Sequence, residues 1–409
     1  MLDHLGQVAQ AAAENFGENE ALVFEERSFS FLELNTMVES AAGGLSALGL
    51  VKGDVVTLYA ANSWEWIVSY YAIARLGAGI NPVNTMLTPN EIEYVVEDCG
   101  AKAIIASPEK VAAILPVKGT SDVKEIISFG DEIEPGAVSF NALLERGASA
   151  PAVDDIDPAS LSTIGYTSGT TGHPKGAMQS HRAVIINGAM TSQLHMRGSN
   201  DVVVSALPCP HVYGNVLMNG MMLFGTKLVL HKTFDPAAVL GDIARHKATI
   251  FDGVPTMYMF MLNSPAFADA DLSSLTRCYV GGQTMPVATM KAVEEGFKTP
   301  LIELWGMTEI AGLGSTHPLY GTNKHGSIGC AMPCCEARSA DTENAVKTMP
   351  RGEVGELMVR GPIVMIGYFG DEEKTRETLE SDGWLHTGDL GTMDEDGCVH
   401  LDDRTKDMI

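Results

Sequence analysis

The segment Thr163-Ile164-Gly165-Tyr166-Thr167-Ser168-Gly169-Thr170-Thr171-Gly172-His173-Pro174-Lys175-Gly176 concentrates chemistry in a short stretch. A β-rich run enters a loop of hydroxyls and glycines, passes one lysine and leaves toward a helix near His181–Ala189. Glycines let backbone N–H groups turn inward around an anion, hydroxyls add donors, and lysine supplies a mobile cation. This is the chemistry of a phosphate cradle. It is not a Walker A loop, because the spacing Gly-x4-Gly-Lys-[Ser/Thr] is absent. The plainer alternative is a flexible surface loop rich in Gly, Ser and Thr.

Ten consecutive residues of that loop, Thr167–Gly176, resemble the phosphate loop of the adenylate-forming superfamily. That superfamily includes acyl-CoA synthetases, aryl-acid and hydroxycinnamate ligases, firefly-type luciferases and the adenylation domains of peptide synthetases. The resemblance implies that Thr167, Ser168, Gly169, Thr170, Thr171 and Gly172 cradle ATP, with Lys175 orienting the departing pyrophosphate. It runs in order along essentially the whole chain. Trp305-Gly306-Met307-Thr308-Glu309, after the β-rich run Leu301–Leu304, looks like the family's aromatic-Gly-x-Thr-Glu motif. The resemblance implies an aromatic against adenine, a hydroxyl for phosphate and a carboxylate for Mg²⁺, a hard cation that prefers oxygen. Tyr279-Val280-Gly281-Gly282-Gln283-Thr284-Met285-Pro286 resembles the Gly-Gly turn whose backbone faces adenine and the acyl pocket; Gln283 stands where Ala is common.

Asp382-Gly383-Trp384-Leu385-His386-Thr387-Gly388-Asp389-Leu390 resembles the segment whose final Asp holds both ribose hydroxyls. A carboxylate suits a cis-diol because it accepts two hydrogen bonds. Asp403-Arg404-Thr405-Lys406-Asp407 is similar to the start of the hinge between the large and small domains. By that likeness Arg404 reaches toward ribose and phosphate, and Lys406 is the pivot. Pro208-Cys209-Pro210-His211-Val212-Tyr213-Gly214-Asn215 stands where the family has its aromatic or His gate, which makes His211 the gate candidate, although a lone His is often a satisfied structural residue. Val212 occupies the position where peptide-synthetase domains commonly carry an Asp for an amino group. An ammonium beside Val would be costly, so amino acids are disfavoured. Tyr213 could stack on an aryl acid. The Met-rich runs Val216–Phe224 and Val254–Leu262 fit either core packing or an adaptable apolar wall.

The expected reaction is two-step: a carboxylate attacks the α-phosphate of ATP, then coenzyme A displaces AMP. Lys175, His211, Thr308 and Glu309 are the expected catalytic set, with a hydroxycinnamate-type acid (such as ferulate) or a fatty acid as substrate. An adenylation module serving a carrier protein, a luciferase-like oxygenase, and a non-catalytic nucleotide-binding protein are the alternatives. The intact set Lys175, Thr308, Glu309, Asp389 and Arg404 argues against the last.

Stepping out to the elements that must hold these residues, short β-rich runs alternate with helical patterns from residue 20 to about 305. Val55–Ala60, Ala103–Ala106, Val202–Ala206, Lys227–Leu230 and Cys278–Val280 read as strands. Phe31–Leu48, Trp64–Leu76, Pro236–Arg245 and Pro286–Glu295 read as helices. Thr88-Pro89-Asn90-Glu91 marks a helix start by cap, first-turn Pro and capping-box Glu. The expected class is α/β, with layered subdomains on largely parallel sheets over about 1–325. A small β-barrel-like subdomain follows over about 326–401, and 402–409 begins a hinge to a small C-terminal lid domain that does not follow Ile409. Met393–Cys398 reads as a tight hairpin turn. Ala150–Asp157 reads as a surface connection.

The 27 basic and 52 acidic residues give a net charge of −25, which disfavours nucleic acid and anionic lipid as partners. No apolar run reaches the length of a membrane span, and no signal-peptide pattern opens the chain. Seven cysteines without paired metal-ligand spacing suit free thiols in the cytoplasm. The partners expected are therefore a small carboxylic acid, ATP and CoA, and a homodimer is compatible with the sequence.

Overall fold

The computed structural model describes residues 2–146, 150–151, 156–167 and 174–404, the side chains of residues 403 and 404 excepted. The phosphate-loop residues Ser168, Gly169, Thr170, Thr171, Gly172 and His173 lie outside the described residues, as do residues 152–155 of the expected 150–157 connection and the hinge residue Lys406.

Three sheets organise the chain. One has nine strands, in the order Cys330–Ala331, Gly312–Thr316, Leu301–Met307, Arg277–Val280, Ile250–Gly253, Val202–Ser205, Lys227–Leu230, Glu20–Phe24 and Arg27–Ser30. A second has eight, in the order Gly367–Tyr368, Lys175–Ser180, Leu161–Thr167, Gly79–Pro82, Val55–Tyr59, Ala103–Ala106, Glu125–Ser128 and Val138–Ser139. Their interiors are parallel. Parallel strands covered on both faces read as unbroken apolar runs, and Val55–Tyr59 is buried at every position. The third sheet, Glu336–Ala340, Gly355–Arg360, Leu385–Met393 and Val399–Arg404, is wholly antiparallel and curled.

Helices fill the space between the two large sheets. Trp64–Arg75 is buried nearly all round, with Trp66, Tyr70 and Tyr71 at 0% exposure. A helix this apolar must bury every face. Its two tyrosine hydroxyls donate to Asn215 and Asn219 of the Val212–Phe224 helix, so both buried phenols are satisfied. The capping box at Thr88 is complete: the Glu91 amide donates to the Thr88 hydroxyl, and the Thr88 amide donates to the Glu91 carboxylate.

The helix expected near His181–Ala189 is His181–Leu194, capped by Ser180. Before it, Lys175 opens an antiparallel strand, Lys175–Ser180, which returns along Leu161–Thr167. Thr167 and Lys175, which flank the expected phosphate loop, are paired across this hairpin. Asp389 lies inside the nine-residue strand Leu385–Met393. The expected turn at Met393–Cys398 is present, with Gly397 at φ 80° donating to the Asp394 carbonyl.

Both large sheets end toward each other in an antiparallel addition: the Leu161–Thr167/Lys175–Ser180 hairpin in one, and Leu301–Met307/Gly312–Thr316 in the other. These two hairpins are clamped together. Gln179 Nε2 donates to the Thr308 carbonyl at 2.9 Å. Asn187, fully buried on the His181–Leu194 helix, donates to the carbonyls of Ile310 and Leu313 and accepts from the Leu313 amide.

Candidate active site

The candidate residues gather where these hairpins meet the curled sheet. Trp305 ends the buried run of its strand, and the register shifts between Trp305 and Gly306. Such a bulge re-aims side chains at a strand end. Gly306 is obligatory there, since a Cβ would lie 2.0 Å from the Gly312 carbonyl oxygen. The bulge turns the Trp305 indole edge toward the curled sheet, where Nε1 donates to Asp389 Oδ2 at 2.8 Å. Asp389 is 7% exposed, and its backbone pairs in register with Arg404.

Glu309 is also 7% exposed. Tyr368 donates its hydroxyl to Glu309 Oε1 at 2.9 Å, and the Met365 amide donates to the Glu309 carbonyl. Burial, then the neighbouring Glu309 charge, pushes the Tyr368 phenol pKa up, so it stays a donor. The Lys175 ammonium lies over the Tyr368 ring, 5.9 Å from its centroid. Lys175 and Glu309 are thereby brought to one phenol by three separate segments. Thr308, next to Glu309 in the chain, has its Cγ2 packed against Gly165, where an added Cβ would approach to 2.5 Å.

The Gly281–Gln283 turn closes another side. A Cβ on Gly281 would meet Leu304 Cδ1 at 2.2 Å, so only glycine lets this backbone lie against the strand carrying Trp305. Gly282 has φ 85°, and Gln283 is exposed. His211 caps the Val212–Phe224 helix by accepting the Tyr213 amide at Nδ1, 3.3 Å. Its side chain reaches solvent while protein crowds it closely, as on a cleft wall, and desolvation lowers its pKa. Tyr213 is 4% exposed, and its hydroxyl donates to Asp252, which is ion-paired with Arg197 at 2.8 Å in the core. Tyr213 is thus tied into the sheet-facing layer by its hydroxyl, while Val212 remains half-buried at the helix start.

Three residues here escaped the sequence reading. Tyr368 carries no local signal, because only strand addition of Gly367–Tyr368 to Lys175–Ser180 brings it in. Gln179 is one polar residue among several in its strand. Glu303 was legible in principle, as a lone carboxylate in the apolar run leading to Trp305. It is 3% exposed, Oε2 has no partner among the described residues, and burial pushes its carboxyl up to about 7.

The AMP-binding enzyme family model matches residues 9–369. The chain belongs to the AMP-binding enzyme family. A long-chain-fatty-acid–CoA ligase of Bacillus subtilis (strain 168) is 30% identical over 99% of this chain and 77% of its own length. An indoleacetate–CoA ligase of Aromatoleum aromaticum (strain DSM 19018 / LMG 30748 / EbN1) is 34% identical over 95% of this chain and 76% of its own. The crystal structure of the anthranilate CoA ligase AuaEII in complex with anthranoyl-AMP superposes with a TM-score of 0.93 and 27% identity. The match covers 99% of this chain and 79% of that one. This AMP-binding enzyme is an AMP-forming acyl-CoA synthetase, an ATP-dependent acid–CoA ligase. Among its described residues no helix is long and apolar enough to cross a membrane.

Proposed function

We propose that this ligase activates a hydrophobic acid, a hydroxycinnamate-type acid such as ferulate or a fatty acid, entering at the start of the Val212–Phe224 helix. The observation that carries this reading is Asp252. It is the carboxylate that Tyr213 reaches, and Arg197 already pairs with it, so Asp252 is not left as a free counter-ion for an amino group. Relatives named for a long-chain fatty acid and for indoleacetate support a fatty or an aryl acid. We place the enzyme in the cytoplasm, where its seven free thiols suit a reducing environment.

In the proposed mechanism the carboxylate oxygen bonds to the α-phosphorus of ATP as the bond to pyrophosphate breaks. The thiolate of CoA then attacks the acyl carbon and AMP leaves. The first step brings anions together, so catalysis rests on positioning and charge neutralisation. Lys175 faces the departing pyrophosphate. The Thr308 hydroxyl donates to the α-phosphate. His211, accepting at Nδ1, carries its neutral-ring proton on Nε2 and can donate there to the acid without a competing charge. Asp389 accepts the ribose hydroxyls, Trp305 lies by the base, and Arg404 and Lys406 serve the ribose side and the hinge.

Mg²⁺ fits Glu309, a buried carboxylate beside a hydroxyl residue. Among the described residues no group of three or more His, Cys, Asp or Glu could hold a metal, so most ligands would be phosphate oxygens and water. When bound, the ion supplies charge neutralisation at the phosphates.

The test is hydroxylamine trapping of the acyl-adenylate across acetate, phenylalanine, ferulate and palmitate. Ferulate or palmitate should give kcat/KM at least tenfold above acetate and phenylalanine. Preference for either of the latter two would refute the pocket.

A further inference from the structure

On the side facing Gly355–Arg360, Asp389 does not sit in regular pairing. Glu356 pairs with Leu390 and Met358 with His386, so Thr387, Gly388 and Asp389 together oppose Leu357. Three residues against one make a bulge, and Gly388 adopts φ 75° within it. A bulge of this size has fewer ladder bonds to define it, so side chains must fix its shape.

They do so from the neighbouring strand. Glu356 Oε1 accepts the Gly388 amide at 3.0 Å, and Oε2 bonds His386 Nδ1 at 2.8 Å. His386 Nε2 bonds Glu380 Oε1 at 3.0 Å. Thr387 donates its hydroxyl to the Leu357 carbonyl at 2.6 Å and accepts the Asp389 amide at 3.1 Å. The Glu356 and His386 side chains are 17% and 22% exposed, so these bonds are substantially shielded from water.

We infer that Glu356 is a positioning residue for nucleotide binding: its carboxylate holds the Gly388 bulge in the shape that points Asp389 at the ribose diol. This rests on the proposed role of Asp389. Glu356 touches no substrate itself. Its effect passes through one backbone amide to the residue that follows.

The experiment compares ATP with 2′,3′-dideoxy-ATP, by calorimetry, on wild type, Glu356→Ala, Glu356→Gln and Thr387→Val. Wild type should bind ATP at least tenfold more tightly than the dideoxy analogue. Glu356→Ala should weaken ATP about tenfold and the analogue less than twofold. Glu356→Gln, which keeps an acceptor for the Gly388 amide, should recover most of the ATP affinity. Thr387→Val, nearly isosteric and so tolerant of folding, should show the same ATP-selective loss and keeps the test decisive if Glu356→Ala does not fold. Equal losses for both nucleotides, or no loss in the foldable variants, overturn the positioning role while leaving Asp389 on the ribose. If wild type binds both nucleotides equally, the ribose assignment fails and this inference falls with it.

Discussion

Trp305 donates its indole N–H to Asp389 at 2.8 Å, joining the end of a parallel-sheet strand to the bulge of the curled sheet. The benzene end of the indole packs on Gly314, where a Cβ would come within 2.4 Å of Cζ3. The residue therefore gives its N–H to the carboxylate and its benzene ring to packing. Trp305→Phe keeps much of the ring and removes the donor from a buried carboxylate. We expect ATP affinity to drop by roughly 1–2 kcal/mol, against roughly 1.5–3 kcal/mol for Asp389→Ala. The two losses should be non-additive, because both act on one bond. Calorimetric titration of the two single variants and the double variant checks this; full additivity would separate the residues.

Gly165 and Thr308 share one small space. Gly165→Ala puts a methyl 2.5 Å from Thr308 Cγ2, so the threonine must move. The cost to stability is about 1–3 kcal/mol, typical of overpacking, with a larger relative loss in adenylation. Thr308→Ser removes the clashing methyl and keeps the hydroxyl. The pair Gly165→Ala/Thr308→Ser should therefore adenylate better than Gly165→Ala alone. A double variant no better than the single would show that the strand, not Thr308, is what suffers.

Glu309→Gln keeps shape and removes charge. Pyrophosphate exchange should fall by two or more orders of magnitude at ordinary Mg²⁺, and raising Mg²⁺ should recover only part of it. Normal exchange would place the metal-facing carboxylate elsewhere. Tyr368→Phe leaves Glu309 buried with one donor fewer, which should destabilise the fold by about 1–3 kcal/mol in urea titrations.

Glu303 makes stability depend on pH. Its folded pKa is about 7, above the ordinary value of 4.5, so the folded state keeps a proton that the unfolded chain releases. Stability therefore falls as pH rises from about 4.5 to 7, then levels off, with a total loss of roughly 3 kcal/mol. His386, raised to about 9 chiefly by its hydrogen bond to Glu356, adds a separate loss between 6.5 and 9. Subtracting Glu303→Gln from wild type cancels the His386 part. Urea unfolding of both proteins at pH 5, 6, 7 and 8 should show the variant gaining relative stability up to pH 7. A constant difference would mean that Glu303 is not held protonated.

Local residue order determined a good deal by itself. Apolar runs such as Val55–Tyr59 and the capped start at Thr88 became a strand and a helix as read, because burial on both faces and a complete capping box are encoded within a few residues. Lys175, Thr308, Glu309 and Asp389 could be singled out because each lies in a short motif whose residue types suit an anion, a metal or a diol.

Tertiary structure decided which of them share a site and what shapes them. Lys175 opens the returning arm of a hairpin, fixed by its strand's pairing with Leu161–Thr167. Tyr368 reaches Glu309, and Glu356 reaches Gly388, only through pairings between strands distant in sequence. Tyr213 was legible as an aromatic beside the gate, but whether its hydroxyl faced a substrate or the core depended on Asp252 and Arg197, which lie on other elements. The raised pKa of Glu303 likewise depends on what is packed around it. Motif chemistry is a property of neighbouring residues in the chain; burial, partners and bulge geometry are properties of residues that meet only after the sheets have formed.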